Sequence, residues 1–199
     1  MLSIGAAFLC DTVIAVDCDN DALNLACNNA KIVDLDDCIE FIQAKVNMKS
    51  QPKQSSNSRK QRSGGKRGGR GGRGSQSSIQ TKSLIIMDHA DGIPLKDCCV
   101  DTVLTNPPFG TKMNAGIDVQ FLRTATRLAK RAVYSFHKRS TRAFLMRIVR
   151  EWGFEIEVAA EMEFDIPQMY NFHKQKNKDI EVDLLRVIIV AGDKEIQRE

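Results

Sequence analysis

The chain has 199 residues, enough for one domain with an additional segment, and 42% of them are apolar, which suffices for a packed core. No apolar run approaches the ~18 residues of a membrane-spanning helix, and the composition also excludes a wholly disordered chain. The net charge of +4 conceals a division, because residues 48–82 hold ten basic residues and no acid, whereas the rest holds 19 basic and 25 acidic residues. The sequence therefore predicts a mildly acidic domain with a strongly basic insert.

Outside this insert, strand-like and helix-like patterns alternate along the chain. The predicted strands are residues 12–16, 39–46, 84–87, 101–105, 132–136, 154–164 and 180–191. The predicted helices are residues 20–32, 117–129 and 141–152. Asp19 or Asn20 is expected to cap the first helix. The apolar residues expected on the buried side of that helix are Ala22, Leu23, Leu25, Ala26 and Ala30. This alternation predicts an α/β fold in which a largely parallel sheet carries helices on both faces.

The basic insert consists mainly of Ser, Gln, Gly, Lys and Arg, with Arg-Gly repeats beginning at Arg67, Arg70 and Arg73. Such a segment cannot bury enough apolar surface to offset its ordering entropy, which predicts a disordered loop dividing the domain into residues 1–47 and 83–199. Arg-Gly-rich segments bind RNA through phosphate charge and guanidinium stacking. A tolerated surface insertion without a role is the alternative, because long loops add little closure entropy.

The six cysteines show neither a C-x-x-C pair nor a histidine at metal-ligand spacing, so we expect no metal site. Most of them lie in apolar stretches, where free thiols behave as small hydrophobic side chains, and this usage is typical of a reducing intracellular compartment. The apolar start of the chain has no basic leader, so we expect no signal peptide.

Two predicted strand ends carry candidate functional residues. Ligands of open α/β sheets bind beyond the carboxyl ends of the strands, and Asp17 ends the first predicted strand there. An acid at this position, followed by a helix, can accept hydrogen bonds from both hydroxyls of an adenosyl ribose. The alternative is that Asp17 is only a turn residue.

The second strand end is the segment Asn106-Pro107-Pro108-Phe109. Two successive prolines remove two N–H donors and fix the backbone, so their carbonyls and the Asn106 side-chain oxygen form a rigid set of acceptors. Acceptors at Asn106 and Pro107 could hold the two N–H groups of an exocyclic amine and direct its lone pair at a methyl donor. Phe109 offers a ring on which a planar base or amide can stack. A simple proline-rich turn is the structural alternative.

The Asn-Pro-Pro-Phe-Gly motif resembles that of amino-methylating, S-adenosylmethionine-dependent Rossmann-like methyltransferases. The longer pattern, NPPFGTKMNAGID…FL, AVYSFHKRSTR and FDIP…YNFHK…DIEVDLLR, is similar to the methyltransferase-like protein five family. That family methylates the N6 amine of an adenosine in 18S ribosomal RNA. The resemblance covers nearly the whole chain outside the basic insert. It implies a Rossmann-like class I methyltransferase sheet, S-adenosylmethionine as cofactor, and a location in the nucleus, including the nucleolus, and the cytoplasm.

The resemblance also implies roles for individual residues. Asp17 matches the acid that binds the cofactor ribose, and the Asn106–Phe109 segment matches the residues that hold the target adenine, with Asn106 also near the cofactor. Residues in family segments that would line the RNA channel are His137, Lys138, Phe172, His173 and Lys174. A buried partner for His137 and a solvated charge at Lys174 are the structural alternatives.

Two departures from the family pattern concern the cofactor. The first strand and the Gly-rich turn that wraps the methionine part of the cofactor have no counterpart here, which implies an incomplete sheet and leaves the activity of this chain open. The acid that contacts the cofactor adenine follows the third strand of the family. That position falls near Lys45 if residues 39–46 form this strand, or at Asp88 or Asp91 if the strand resumes after the insert, and we favour Asp91.

The third family strand is expected at the sheet edge, and Ile39, Phe41, Ile42 and Val46 make it apolar for such a position. The resemblance implies a small zinc-binding activator protein that adds a strand to this edge. The alternative is that residues 83–88 fold back and cover the edge. Two other functions remain open beside RNA methylation: methylation of a protein glutamine amide by the same acceptor set, and a catalytically silent RNA-binding or scaffold role.

Overall fold

The structure, a computed structural model, describes residues 2–47, 89–108, 116–164 and 180–189. The basic insert and the predicted strand at residues 84–87 lie outside these ranges. The described elements are α1 (Leu2–Ala7), β1 (Val13–Asp17), α2 (Asn20–Ile32), β2 (Ile39–Gln43), β3 (Val100–Thr105), α3 (Ile117–Leu128), β4 (Ala129–Lys138), α4 (Arg142–Glu151), β5 (Glu155–Phe164) and β6 (Ile180–Ile188). The described helices include none that is long and apolar enough to cross a membrane.

The strands form two sheets. Strands β1 and β2 pair in parallel, with Val13 opposite Ile39 and Asp17 opposite Gln43. The second sheet has the order β3-β4-β6-β5, in which β3 and β4 are parallel and β6 is antiparallel to both of its neighbours. The predicted α/β class is confirmed, but the expectation of a largely parallel sheet is wrong for the four-stranded sheet. Strand β5 alternates exposed and more buried positions, a pattern typical of antiparallel strands.

Three apolar clusters hold these layers together. Helices α3 and α4 cover β4 and β6 through a cluster that includes Leu122, Leu145, Val149, Val133 and Leu185. Helices α1 and α2 cover β1 and β2 through a second cluster. The third cluster contains side chains from both sheets, since it is built around Val46, Ile93, Leu95 and Leu128 and also contacts residues of β1, β2 and β3. The two sheets are therefore joined by shared side chains.

Helix α2 begins as predicted. The Asp19 carboxylate accepts a hydrogen bond from the backbone N–H of Asp21 (2.9 Å) and so satisfies a free donor of the first turn. Its buried side is narrower than predicted. Leu23 and Ala30 are buried, but Ala22 is exposed and Leu25 is 62% exposed. Two residues correspond to about 200° of helix rotation, so Leu23 and Leu25 cannot face the same sheet.

A β-bulge brings an acidic side chain of β5 to the face of the sheet that α4 covers. Val158 lies opposite Leu185 and Ala160 opposite Leu184, so β5 has one extra residue between these pairs. Before the bulge Glu157 pairs with Arg186, and after it Glu161 lies opposite Asp183. The bulge therefore places Glu161 beside Asp183, which is fully buried.

Asp183 is the centre of an ion cluster between β6 and the start of α4. Arg142 donates to its carboxylate through Nε (2.6 Å) and Nη2 (2.6 Å), and Arg139 donates through Nε (3.4 Å). These hydrogen bonds, chiefly those of Arg142, hold the pKa of Asp183 below its usual range despite its burial. Glu161 pairs with both arginines, and Glu181 accepts a hydrogen bond from Arg139 Nη1 (2.7 Å). The cluster ties the turn after β4 to the β5–β6 pair.

We expect Asp183→Asn to lower the free energy of unfolding by about 2–3 kcal/mol, because it leaves the arginines beside an uncharged buried partner while their partial exposure reduces the full penalty. Urea denaturation at pH 7 measures the change. Glu157→Gln, which breaks the exposed Glu157–Arg186 pair, is the matched control and should cost less than about 0.5 kcal/mol. Equal decreases in the unfolding free energy of the two variants would show that the buried Asp183 cluster contributes no more to stability than an exposed ion pair.

Candidate functional site

The carboxyl ends of β1 and β2 form one part of the candidate site. Asp17 ends β1, and its Oδ1 accepts a hydrogen bond from the backbone N–H of Asp19 (2.9 Å), which shapes the turn into α2. The side chain is exposed, so a ligand can approach the carboxylate. The backbone N–H of Ala44 donates to the Asp17 carbonyl (2.9 Å), and the Gln43 side chain donates to the Cys18 carbonyl (3.3 Å). Lys45, which is also exposed, therefore follows directly at the Asp17 end of the sheet.

Asp91 has a structural position. It is 6% exposed, and Arg127 donates to both of its oxygens, through Nε (2.7 Å) and Nη2 (3.0 Å). Burial by itself would raise the pKa of Asp91, but the hydrogen bonds from Arg127 and the backbone N–H of Ile93 outweigh it and hold the pKa below its usual value. Both carboxylate oxygens accept hydrogen bonds from the protein itself. This arrangement favours a structural role for Asp91, which joins its loop to α3, over the expected contact to a cofactor adenine. Asp88 lies outside the described residues.

The segment around Asp91 also contacts the end of β2. The backbone N–H of Asn47 donates to the Asp91 carbonyl (2.8 Å). Gly92 has a left-handed backbone (φ 82°), and a Cβ there would collide with the carbonyl oxygen of Lys45. This close approach requires glycine. It holds Lys45 next to the loop that leads to β3. Of the three positions considered for the cofactor adenine contact, Lys45 is exposed, Asp91 is buried and Asp88 lies outside the described residues.

The second part of the site follows β3. Asn106 and Pro108 are exposed, whereas Pro107 is buried. This pattern anchors the turn through its central proline and presents the Asn106 amide to solvent. Phe109, the fourth residue of the motif, lies outside the described residues. Thr105, the residue before Asn106, is opposite Ser135 of the parallel neighbour β4. The turn therefore follows the outer strand β3 at the point where β3 pairs with the inner strand β4.

Ser135 and His137 form a buried polar pair beside this turn. The Ser135 Oγ and the His137 Nε2 are 2.7 Å apart, and His137 is 1% exposed. Burial lowers the pKa of His137 to about 4, with Asp118 and Asp183 acting in the opposite direction. The imidazole is therefore neutral at physiological pH. Ser135 is not among the residues that the sequence analysis singled out, although a serine and a histidine two residues apart on one strand share a face.

The residues expected to contact RNA are only partly described. The burial of His137 and its bond to Ser135 favour the structural alternative for this residue. Lys138 is half-buried at the end of β4, where its carbonyl accepts a hydrogen bond from the Thr141 hydroxyl (2.8 Å). The other expected RNA contacts all lie outside the described residues: Phe172, His173, Lys174, Arg67, Arg70 and Arg73.

His137 should make the stability of the chain pH-dependent. Its folded pKa of about 4 is below the unfolded value of 6.5, so the unfolded state binds more protons between these values. The stabilisation is complete above pH 6.5 and is lost as the pH falls towards 4, by about 3 kcal/mol at the lower end. Between pH 7.5 and 4.5, urea denaturation should show a smaller loss of unfolding free energy for His137→Gln than for the wild-type chain. Identical pH dependence in the two proteins would contradict a lowered pKa for His137.

No protein-family model matches this chain. The rRNA N(6)-adenosine-methyltransferase metl-5 of Caenorhabditis elegans is 30% identical over 188 residues, which are 93% of this chain and 68% of the relative. The rRNA N(6)-adenosine-methyltransferases Mettl5 of Drosophila melanogaster and METTL5 of Danio rerio are 59% and 54% identical over 86 residues, 43% of this chain. These matches cover 40% and 42% of the two relatives, so the matched part spans less than half of their length.

Two solved structures share the fold. A candidate RNA methyltransferase from Pyrococcus horikoshii superposes with a TM-score of 0.57 at 22% identity, over 95% of this chain and 69% of its own. Protein 1320 of Thermoplasma acidophilum gives 0.55 at 19% identity, over 96% and 73%. These likenesses confirm the Rossmann-like α/β architecture. Because the worm relative matches nearly all of this chain and more than two thirds of its own length, the chain belongs to the METTL5 family of rRNA N(6)-adenosine-methyltransferases.

Proposed function

We propose that this chain is an S-adenosylmethionine-dependent methyltransferase that modifies the N6 amine of an adenosine in 18S ribosomal RNA. The observation that carries the proposal is the turn after β3, where buried Pro107 fixes the backbone and exposed Asn106 presents its amide. The names of the relatives support RNA over a protein glutamine as the substrate.

The turn can perform the chemistry by positioning. The Asn106 side-chain oxygen and the Pro107 carbonyl accept hydrogen bonds from the two amine hydrogens, which directs the nitrogen lone pair away from the turn. S-adenosylmethionine, when bound, supplies the methyl group at its sulfonium centre. The exposed Asp17 carboxylate fits the ribose hydroxyls of this cofactor. Holding the two reacting groups in a productive geometry accounts for much of such a rate enhancement, and no covalent nucleophile is required.

We also propose that a small zinc-binding activator protein adds a strand to the outer edge of β2. Among the described strands, β2 pairs with β1 alone. The sequence analysis based this docking on apolar side chains exposed at the edge, and the structure does not place them there. Ile39 and Phe41 belong to the cluster beneath α1 and α2, and Ile42 and Val46 to the cluster shared by the sheets. Their side chains point to the two faces, so docking would depend on the backbone N–H and C=O groups of the edge.

We expect Asn106→Ala to reduce methyl transfer about 100- to 1,000-fold, because one positioned catalytic hydrogen bond typically contributes ~2.7–4 kcal/mol. The assay is incorporation of a labelled methyl group into 18S ribosomal RNA, with this chain extended by the first strand and Gly-rich turn of a relative. Thr102→Ala, at an exposed position of the same strand, is the control and should retain full activity. Wild-type rates in the Asn106 variant would refute the proposal.

A proline at position 43 tests the activator edge. The N–H of Ala44 points to β1, so alternation along the strand directs the N–H of Gln43 to the outer edge. Gln43→Pro removes that donor and leaves the backbone hydrogen bonds to β1 in place, and it should weaken activator binding at least tenfold in a pull-down or calorimetric titration. The side-chain contact of Gln43 with the Cys18 carbonyl is lost in this variant and in Gln43→Ala alike. Gln43→Ala keeps the N–H and should bind normally. Equal binding by both variants would place the activator elsewhere.

A further inference from the structure

Positive charge is concentrated in one part of the described chain. Residues 117–150, which comprise α3, β4 and most of α4, contain nine basic residues and a single acid, Asp118. In contrast, residues 2–47 contain two basic and eight acidic residues. The α3–α4 layer is therefore the basic side of an otherwise acidic domain.

Several of these cations are neutralised inside the protein. Arg127 binds Asp91 and Asp97, and Arg139 and Arg142 bind the Asp183 cluster. Their guanidinium donors are used by carboxylates and carbonyls. These three arginines therefore serve the fold and have little capacity for an external anion.

Arg123 of α3 and Arg147 of α4 are held differently. The Arg123 guanidinium carbon lies 5.1 Å from the centroid of the Trp152 ring, and that of Arg147 lies 5.9 Å from the Phe144 ring. Both arginines are exposed, and the contact of Arg147 with Glu151 is a long one (3.8 Å) between exposed side chains. A guanidinium stacked on a ring is oriented while its N–H donors stay available, because the ring contacts its face and the donors point outward.

These rings lie along one flank of α4. Phe144 and Ile148 of α4 and Trp152, the residue that follows the helix, are spaced by four residues and so lie along one flank. Phe144 is 46% exposed, whereas Trp152 is half-buried and also packs against the main apolar cluster. Helix α4 starts after the carboxyl end of β4, so Phe144 lies on its first turn, at the same end of the sheet as Asn106. The flank therefore extends from the candidate site down the outside of the domain, over about 12 Å between Phe144 and Trp152.

We propose that this surface, formed by Arg123, Phe144, Arg147 and Trp152, binds a single-stranded segment of RNA next to the base held at Asn106. Oriented guanidinium groups bind phosphates, and unpaired bases stack on aromatic rings or guanidinium planes. Here the exposed Phe144 ring and the exposed guanidinium planes of Arg123 and Arg147 offer such faces, and Trp152 orients Arg123. An acidic peptide would satisfy the charges but would make no use of the stacked rings. The inference rests on the proposed RNA substrate and adds a contact surface outside the turn.

Trp152 is the only tryptophan of the chain, so its fluorescence reports on this surface specifically. The unmodified chain is titrated with an eight-nucleotide single-stranded RNA, with tryptophan emission and the anisotropy of a labelled copy followed across a salt series. Binding should quench Trp152. Arg123→Ala/Arg147→Ala should weaken binding several-fold and reduce the slope of log K against log salt by about 1.4, since each phosphate contact on a single strand contributes ~0.7.

Lys31→Ala/Lys96→Ala is the matched control, because it removes two exposed cations from other regions, and it should leave the slope unchanged. The proposal is wrong if RNA saturates the chain without changing Trp152 emission and the arginine variant keeps the wild-type slope. It is also wrong if polyglutamate quenches Trp152 as effectively as RNA, which would indicate a general anion surface. Asn106 is not part of this surface, so the methyl-transfer result for Asn106→Ala tests the proposed function separately.

Discussion

The ion pair between Arg127 and Asp91 determines how the two halves of this domain meet. Arg127 is in the last turn of α3, and besides Asp91 it donates to the carbonyls of Ile93 and Leu95, while its own carbonyl accepts from the N–H of Cys98. The same loop binds Asn47 through the Asp91 carbonyl. One guanidinium thus connects the end of β2, the loop before β3 and the helix after β3. The relative position of Asp17 and Asn106 depends on this connection.

Buried polar groups fix the opposite side of the site. The Asp183 cluster holds the turn between β4 and α4, and the Ser135–His137 pair lies on the strand beside the segment that precedes Asn106. Each buried donor or acceptor would be costly without its partner, so these contacts restrict the backbone to one arrangement. The turn at Pro107 and Pro108 is rigid because of the proline rings. The neighbouring polar contacts determine where this turn lies in the domain.

The sequence predicted the local features of the site well. The cap at Asp19, the position of Asp17 at a strand end and the Asn106-Pro107-Pro108 turn follow from short-range rules on helix starts, strand ends and proline backbone. The pairing of Asp91 with Arg127 did not follow, and for His137 the sequence left an RNA contact and a buried partner both open. Both have features of functional residues, an acid after a strand and a histidine at a strand end, and these features are shared by structural residues.

The fold class and the candidate turn were therefore determined by the sequence alone, because hydrophobic periodicity and proline geometry act over a few neighbouring residues. The tertiary structure decided the rest. Asp91 meets Arg127 across 36 positions, Arg142 meets Asp183 across 41, and β6 lies between β4 and β5 although it follows both in the chain. Whether a titratable side chain has a structural role or contacts a ligand depends on such distant partners, because a buried polar group must be hydrogen-bonded. These partners are far apart in the sequence and leave no local pattern in it.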